Sequence, residues 1–362
     1  MMSKTDIMIE LNKHRRINFY GINNQEDANP AYQKGQKLIK EGNWEYGWYL
    51  HELRSLPNLV PTYGVKNDFD RMRVWIPGMS IKDENIVVWC EAGWGDMIQF
   101  SRFIPLLKEA GAKSVKLAFP RQIVKLLRRL KNHDGMYDME QKVKNGIRLK
   151  VMSLPYCLME HGVIPAKPVE HIYGAEGIFR NLDLHQEKRD KPMIGYCYTT
   201  TNTSWNMKAK QMPKEIMEKF ISEHPEFDWV SLQEGGGYIT SDLWIDTADK
   251  VQALDGVISV DSAIAHIAGS VGVPVANLIG GEKLSCWRWY PKLNTTYWYD
   301  TMKTVWFDKW EDGLNEALKH FKKEEVCNAV DTTGNKGTTK ATTRARPART
   351  AGNNKRGAGR TI

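Results

Sequence analysis

The chain has 362 residues and a net charge of +8, and with 41% hydrophobic residues it can bury one or two substantial cores. It has no apolar run near the roughly 18 residues that a membrane-spanning helix needs, and its five scattered cysteines lack metal-ligand or disulfide-framework spacing. These features argue against a membrane-spanning protein and a disulfide-stabilised secreted domain, and they predict a cytoplasmic protein with reduced thiols.

Residues 29–55 carry small, apolar and aromatic side chains at helical spacing on both sides of Gly42 and Asn43. A glycine followed by an asparagine interrupts a helix because both residues favour turn conformations. The pattern predicts a helical hairpin, and residues 1–60 are assigned to a helical N-terminal segment.

Two series of short apolar runs follow, and most runs are succeeded by a stretch of helical period. The first series predicts strands at 85–90 and 114–119 and helices at 97–108 and 121–131. The second predicts strands at 193–198, 228–232, 256–260 and 274–279 and helices at 213–223, 246–254 and 262–271. Strands alternating with helices form parallel sheets, so the predicted fold class is α/β with two Rossmann-like lobes, bounded at 61–188 and 189–327.

The end of the chain, residues 328–362, is rich in Thr, Gly, Ala, Lys and Arg and has almost no large apolar side chains. From Asp331 onward it holds eight Lys or Arg and one acidic residue, which leaves a net charge of only +1 for residues 1–330. Such a segment cannot offset its ordering entropy by burial, so it is predicted to be a disordered basic tail.

In parallel sheets of this kind, ligands bind at the carboxyl ends of the strands, so the loops that follow the strands are candidate sites. The first such loop contains Gly93 and Gly95, which permit tight turning and close approach of a ligand, just before a predicted helix. Asp96 next to them has two readings: it caps the helix, or it faces the cleft as a general base.

A second loop joins the strand that ends at Asp261 to a helix that opens at Ser262. The free N–H groups of such a helix can hold a diphosphate, and His266, one turn further on, lies on the same face. His266 can equally be a structural histidine. A third loop, residues 199–213, combines five hydroxyl side chains with Lys208 and Lys210, a pattern that is common in polar loops.

Together these segments resemble the ADP-heptose:lipopolysaccharide heptosyltransferase family of GT-B glycosyltransferases, especially the branch with tetratricopeptide-like helices. The resemblance covers roughly residues 29–321. The segments that carry it are GNWEYGW at 42–48, VWIPG at 74–78, EAGWGDMIQFSRFIPLLKEAGA at 91–112, VMSLP at 151–155, VSLQ at 230–233, DTADKVQALDGVISVDSAIAHIAGSVGVPV at 246–275, WRWYP at 287–291 and WFDKWEDGLNEAL at 306–318.

The resemblance implies an enzyme that moves a sugar from a nucleotide-diphosphate donor to a hydroxyl acceptor, with no cofactor and no metal. It implies that Asp96 is the catalytic base and that Lys210 stabilises the departing phosphate, where a fixed cation is what the transition state needs. It places Gln233 near the nucleoside. The diphosphate pocket would be lined by Asp261, Ser262, Ala263 and His266.

The chain departs from the branch at Ala92, Trp94 and Met97, where Gln, Leu and Thr are more usual, which leaves the acceptor open. Asp68-Phe69-Asp70 matches the Asp-x-Asp pattern by which other glycosyltransferases bind a divalent metal. It lies in a predicted loop some fifteen residues before the first strand, so solvated turn carboxylates are the favoured interpretation.

The first reading is an enzyme that transfers the sugar to a glycan or a small-molecule acceptor, and two other functions stay open at this point. The same chemistry could act on DNA that carries a hydroxylated base, held through the basic tail by salt-dependent attraction. Alternatively, the chain could be an inactive GT-B interaction protein, although the presence of Asp96, Lys210 and Asp261 argues against this.

Overall fold

A computed structural model of the protein describes residues 25–55, 72–137, 146–169, 172–184, 188–200, 210–281, 286–290 and 293–322. The Asp68-Phe69-Asp70 triplet, Lys208 and the basic tail lie outside these ranges. Within them, no helix has the length and apolar character needed to cross a membrane. The four cysteines that the structure describes are free thiols.

The N-terminal helical hairpin is confirmed. It consists of α1 (Gln25–Lys40) and α2 (Trp44–His51), joined by a tight turn in which Gly42 adopts a φ of +83°. The two helices cross at glycines: a Cβ at Gly47 would lie 2.8 Å from Cγ1 of Ile39. The absent side chain therefore allows the two backbones to pack closely.

The N-terminal lobe contains a parallel sheet of four strands in the order β1-β4-β2-β3. The strands are β1 (Arg73–Val74), β2 (Asn85–Trp89), β3 (Ser114–Ala118) and β4 (Ile147–Lys150), and the lobe's α-helices are α3 (Trp94–Ser101), α4 (Arg121–Leu127) and α5 (Leu154–Glu160). The predicted bounds of the helix at 97–108 are wrong. The α-helix ends at Ser101 because Pro105 has no N–H to continue it, and a 3₁₀ turn follows at Ile104–Leu107.

The C-terminal lobe contains a parallel sheet of five strands in the order β6-β5-β7-β8-β9. Its strands are β5 (Met193–Cys197), β6 (Asp228–Ser231), β7 (Gly256–Val260), β8 (Val275–Gly280) and β9 (Met302–Phe307). Its helices are α6 (Lys214–Glu223), α7 (Trp244–Gln252), α8 (Ala263–Ser270) and α9 (Trp310–Lys322). The predicted α/β class with two parallel sheets is confirmed, and β1, β4 and β9 are strands that the sequence analysis did not predict.

One continuous hydrophobic core runs from the hairpin through both lobes. Trp48 of α2 is fully buried, and its ring makes edge contacts with Phe100 of the N-terminal lobe and with Trp287 and Trp298 of the C-terminal lobe. Trp44 stacks on Trp298 at a centroid distance of 5.7 Å. The hairpin therefore packs against both lobes. The large apolar area of its tryptophans contributes to a core that the hairpin shares with them.

A buried ionic network ties the hairpin to the strand ends of the N-terminal lobe. Arg54 follows α2 and donates to both carboxylate oxygens of Glu91, at 2.7 and 3.2 Å, and to Glu52 at 2.7 Å. Ser153, just after β4, accepts from Arg54 and donates to Glu52. Because each of these charges is paired in a dry environment, the network fixes Glu91 at the entrance to the turn that leads to α3.

Candidate functional site

The first turns of α3 and α8, one from each lobe, meet at the boundary between the lobes. A Cβ on Gly95 would lie only 2.6 Å from Cδ2 of His266, so the backbone of α3 rests directly on the His266 ring. This contact requires a residue without a side chain at position 95. The structure thus brings together Gly95, Asp96 and His266, three of the residues singled out in the sequence.

Asp96 lies in the first turn of α3, three residues after the cap residue Gly93. Its Oδ2 atom accepts a hydrogen bond of 2.9 Å from the N–H of Gly93, which is the N3 half of a capping box. Gly93, and not Asp96, occupies the N-cap position, but the Asp96 side chain caps the N-terminus of α3 through this hydrogen bond. Ala92, the preceding residue, has a φ of +58°, a conformation that is strained for a residue with a side chain.

The other carboxylate oxygen of Asp96 forms an ion pair with Arg288, which comes from the opposite lobe. The Nε atom of Arg288 donates to Oε1 of Gln99 at 2.6 Å, and its guanidinium lies 4.3 Å from the centroid of the Trp287 ring. Burial lowers the pKa of Arg288 to about 10. The sequence analysis assigned no role to Arg288, although an arginine between two tryptophans signals a charge that is buried and paired.

Lys210 and Asp261 form a buried ion pair at 2.5 Å, beside the entry to α8. Burial opposes the charged form of each group, but the partner's charge prevails. The Asp261 carboxylate raises the pKa of Lys210, and the Lys210 ammonium lowers the pKa of Asp261. Lys210 is therefore a permanent cation at the carboxyl end of the C-terminal sheet.

Ser262 precedes α8 without capping it by its side chain. Its hydroxyl instead lies 3.0 Å from the hydroxyl of Ser259 and 3.7 Å from the sulfur of Cys197. The first N–H groups of a helix have no partner within the helix, and here the N-cap hydroxyl does not occupy them. The N-terminus of α8, which begins at Ala263, thus keeps the properties of an anion-binding site.

His266 is buried against aromatic side chains. Its Nδ1 atom lies 2.9 Å from the hydroxyl of Tyr299, and its ring stacks on Trp289 at 5.7 Å. Burial lowers its pKa to about 4, so the imidazole is neutral at neutral pH. These contacts give His266 a structural role, and its predicted contact with phosphate stays a prediction.

Gln233 lies beyond the end of β6, where its Oε1 atom accepts hydrogen bonds from the N–H groups of Tyr198 and Thr199. It thereby ties the ends of β5 and β6 together. A cavity of about 230 Å³ lies beside it, and its wall includes Tyr196, Tyr198, Glu234 and Gly235. The structure places Gln233 at a different strand end from the Lys210 and Asp261 pair.

Among the described residues, no three His, Cys, Asp or Glu side chains are grouped closely enough to hold a metal ion. The Asp-x-Asp triplet lies outside these residues, so its interpretation stays a prediction.

No model of a known protein family matches this sequence, and the search of curated proteins also found no relative. Solved structures with a similar chain path include a glycosyl transferase of family 9 from Veillonella parvula, with 11% identity over 71% of this chain and 92% of that chain (TM-score 0.39). The iron-containing dodecameric glycosyltransferase TibC from enterotoxigenic E. coli has 11% identity over 68% and 78% of the two chains (TM-score 0.45). The E. coli heptosyltransferase WaaC with ADP has 8% identity over 66% and 99% (TM-score 0.45). Likeness at this level carries no information on substrate or mechanism.

The contact between the lobes can be tested by adding one methyl group to α3. Gly95→Ala would place a Cβ 2.6 Å from the His266 ring, so we expect the free energy of unfolding to fall by about 1–3 kcal/mol. Gly93→Ala is the matched control: the nearest atom lies at 3.4 Å and the backbone is extended, so its cost should stay below about 1 kcal/mol. Urea unfolding measures both, and equal losses would contradict the close packing of α3 on α8.

The neutral, buried state of His266 predicts a loss of stability in acid. The folded pKa of about 4 lies below the usual value near 6.5, so the stability is present above about pH 6.5 and is lost as the pH falls toward 4. A shift of this size corresponds to roughly 3 kcal/mol. In urea unfolding we expect His266→Gln to lose less stability over this range than the wild type. Burial also lowers the pKa of His51, which adds a similar pH dependence of the free energy of unfolding to the wild type and the variant. If that free energy changes equally with pH in both proteins, the prediction is contradicted.

Proposed function

We propose that the protein is a GT-B glycosyltransferase that moves a sugar from a nucleotide-diphosphate donor to a hydroxyl acceptor, without a metal ion. The observation that carries the proposal is the meeting of two helix N-termini at the lobe boundary. One presents the Asp96 carboxylate, and the other lies beside the cation Lys210. A base facing an anion-binding site is what glycosyl transfer from an activated phosphate requires.

The C-terminal lobe supplies the donor site in this proposal. The diphosphate binds at the N-terminus of α8, where the N–H groups from Ala263 onward and the Lys210 ammonium offset its charge. Asp261 holds the ammonium in place at 2.5 Å. The nucleoside binds near Gln233, where the adjacent cavity of about 230 Å³ offers Tyr196 and Tyr198 as an aromatic wall.

The N-terminal lobe supplies the base. The acceptor hydroxyl gives its proton to Asp96 while its oxygen bonds to the anomeric carbon of the donor sugar. The bond from that carbon to the phosphate oxygen breaks, and the electron pair stays on the nucleoside diphosphate. The side chain of Asp96 is 21% exposed, so a hydroxyl group can still reach its oxygens beside the two hydrogen bonds that hold them.

Donor binding is tested first, with a panel of ADP-, UDP-, GDP- and dTDP-sugars. A donor at 100 times its Kd stabilises the fold by about 2.7 kcal/mol and should raise the Tm by roughly 5 °C. Hydrolysis of the same donors, with water as acceptor, is followed by release of nucleoside diphosphate. If no member of the panel shifts the Tm or is hydrolysed, the proposed function fails.

Two substitutions separate the proposed roles. Asp96→Asn should lower turnover by about 10²- to 10⁴-fold with little change in donor affinity, because the amide cannot accept the proton. Lys210→Ala should reduce both donor affinity and turnover, whereas Lys219→Ala, on the exposed face of α6, is the control and should change neither. Retention of more than about a tenth of turnover in Asp96→Asn would remove Asp96 from the role of base.

The same assay tests metal independence. Turnover should survive dialysis against EDTA, because Lys210 and the helix N-terminus offset the phosphate charge in place of a cation. A loss of activity that Mg²⁺ or Mn²⁺ restores would instead assign a metal-binding role, for which the Asp68-Phe69-Asp70 triplet is the first candidate.

A further inference from the structure

Arg288 is the one charged side chain described here that crosses the lobe boundary to reach Asp96. It lies in the segment 286–290 of the C-terminal lobe and is 7% exposed. One of its nitrogens pairs with the Asp96 carboxylate, and another donates to Gln99, one turn further along α3. Asp96 and Gln99 are three residues apart and share a helix face, so the guanidinium forms hydrogen bonds with two consecutive turns of α3.

The guanidinium is fixed on its other sides as well. A third nitrogen donates to the sulfur of Cys286 at 2.9 Å, and the planar group lies over the rings of Trp287 and Phe100, at 4.3 and 5.5 Å from their centroids. A planar fork that is stacked and hydrogen-bonded in this way has one orientation available to it. The position of the charge beside Asp96 is therefore set by the packing of both lobes.

We infer that Arg288 is a positioning residue: it holds the Asp96 carboxylate from the opposite lobe, so that the base is complete only when the lobes are packed together. The inference rests on the proposed function, in which Asp96 accepts the acceptor's proton. Arg288 acts through Asp96 and is not assigned a contact with either substrate.

The pairing also matches the movement of charge during transfer. Before the reaction, the charge of Arg288 is compensated by the carboxylate. When the acceptor proton moves to Asp96, the guanidinium loses this compensation at the step in which negative charge builds on the departing diphosphate. A fixed cation that becomes uncompensated at that step favours the transition state over the ground state.

Other titratable groups surround Asp96, so their states matter for a test by pH. Burial keeps His266 neutral above about pH 4 and raises the pKa of the Cys286 thiol to about 12. Lys210 and Asp261 are paired with each other. Near neutral pH, Arg288 is therefore the cation that pairs with Asp96 among the described residues of the C-terminal lobe.

The first experiment needs no substrate. The wild type, Arg288→Gln, Asp96→Asn and the double variant are unfolded in urea near pH 7. The losses of the single variants should be strongly non-additive there, because removal of either partner leaves the other charge buried and unpaired. Additive losses would overturn the inference.

The second experiment measures the pH dependence of donor hydrolysis, with the nucleotide sugar of the panel that is turned over fastest. In Arg288→Gln the acid limb of kcat/KM should move to higher pH by about 1–3 units, because the cation that favours the ionised carboxylate is gone. Arg288→Lys keeps the positive charge but not the planar guanidinium with its several donors. We therefore expect kcat to fall several-fold, while the acid limb of kcat/KM stays at the wild-type pH. A merely structural arginine would lower activity in both variants and move the limb in neither.

A third variant tests the inference even if the Arg288 variants do not fold. Gln99→Met removes only the acceptor of the Nε hydrogen bond and keeps the helix, so kcat should fall several-fold with an unchanged KM for the donor. Unchanged kcat in this variant would count against the inference. If Asp96→Asn stays active, the proposed function fails. If Asp96→Asn is inactive but the limb of Arg288→Gln does not move, the inference alone fails.

Discussion

The rest of the structure depends on one contact, the packing of Gly95 against the ring of His266. Because position 95 has no side chain, the first turns of α3 and α8 approach until backbone meets imidazole. Without that approach, a carboxylate from one sheet and a lysine from the other would be held apart by intervening side chains. Arg102 strengthens the same boundary: it donates to the carbonyl of Trp298, and its guanidinium lies 4.6 Å from the centroid of the Tyr299 ring.

Three ion pairs hold charged side chains in or near the candidate site. Arg54 with Glu91, Lys210 with Asp261 and Arg288 with Asp96 each join segments that are far apart in the sequence. Such pairs add little net stability, because the cost of removing both ions from water offsets their attraction. Their effect is geometric, since each pair accepts one arrangement of the chain, and two of them place ionised groups where the proposed reaction moves a proton and a phosphate charge.

The helical hairpin supports the residues that position the candidate site. Trp48 packs on both Phe100 and Trp287, the rings that flank the Arg288 guanidinium, while Arg54 holds Glu91 at the start of the turn that carries Asp96. The hairpin thus supports the turn from one side and the guanidinium from the other. This arrangement explains why a hairpin with tryptophans at its core positions belongs to the same compact unit as the two lobes.

The sequence by itself determined the elements and the candidate residues that local pattern can reveal. Buried apolar runs predicted most strands to within a residue. Strand ends followed by Gly95-Asp96 or Asp261-Ser262 indicated the loops that carry candidate catalytic and binding residues. Pattern could not predict short strands such as β1, with two residues, or the early end of α3 before Pro105. The tertiary structure alone decided the partners: Arg288 for Asp96, Asp261 for Lys210, Tyr299 for His266. Those pairings join residues up to 192 positions apart, and the periodicity of a sequence reports only on neighbours within a few turns.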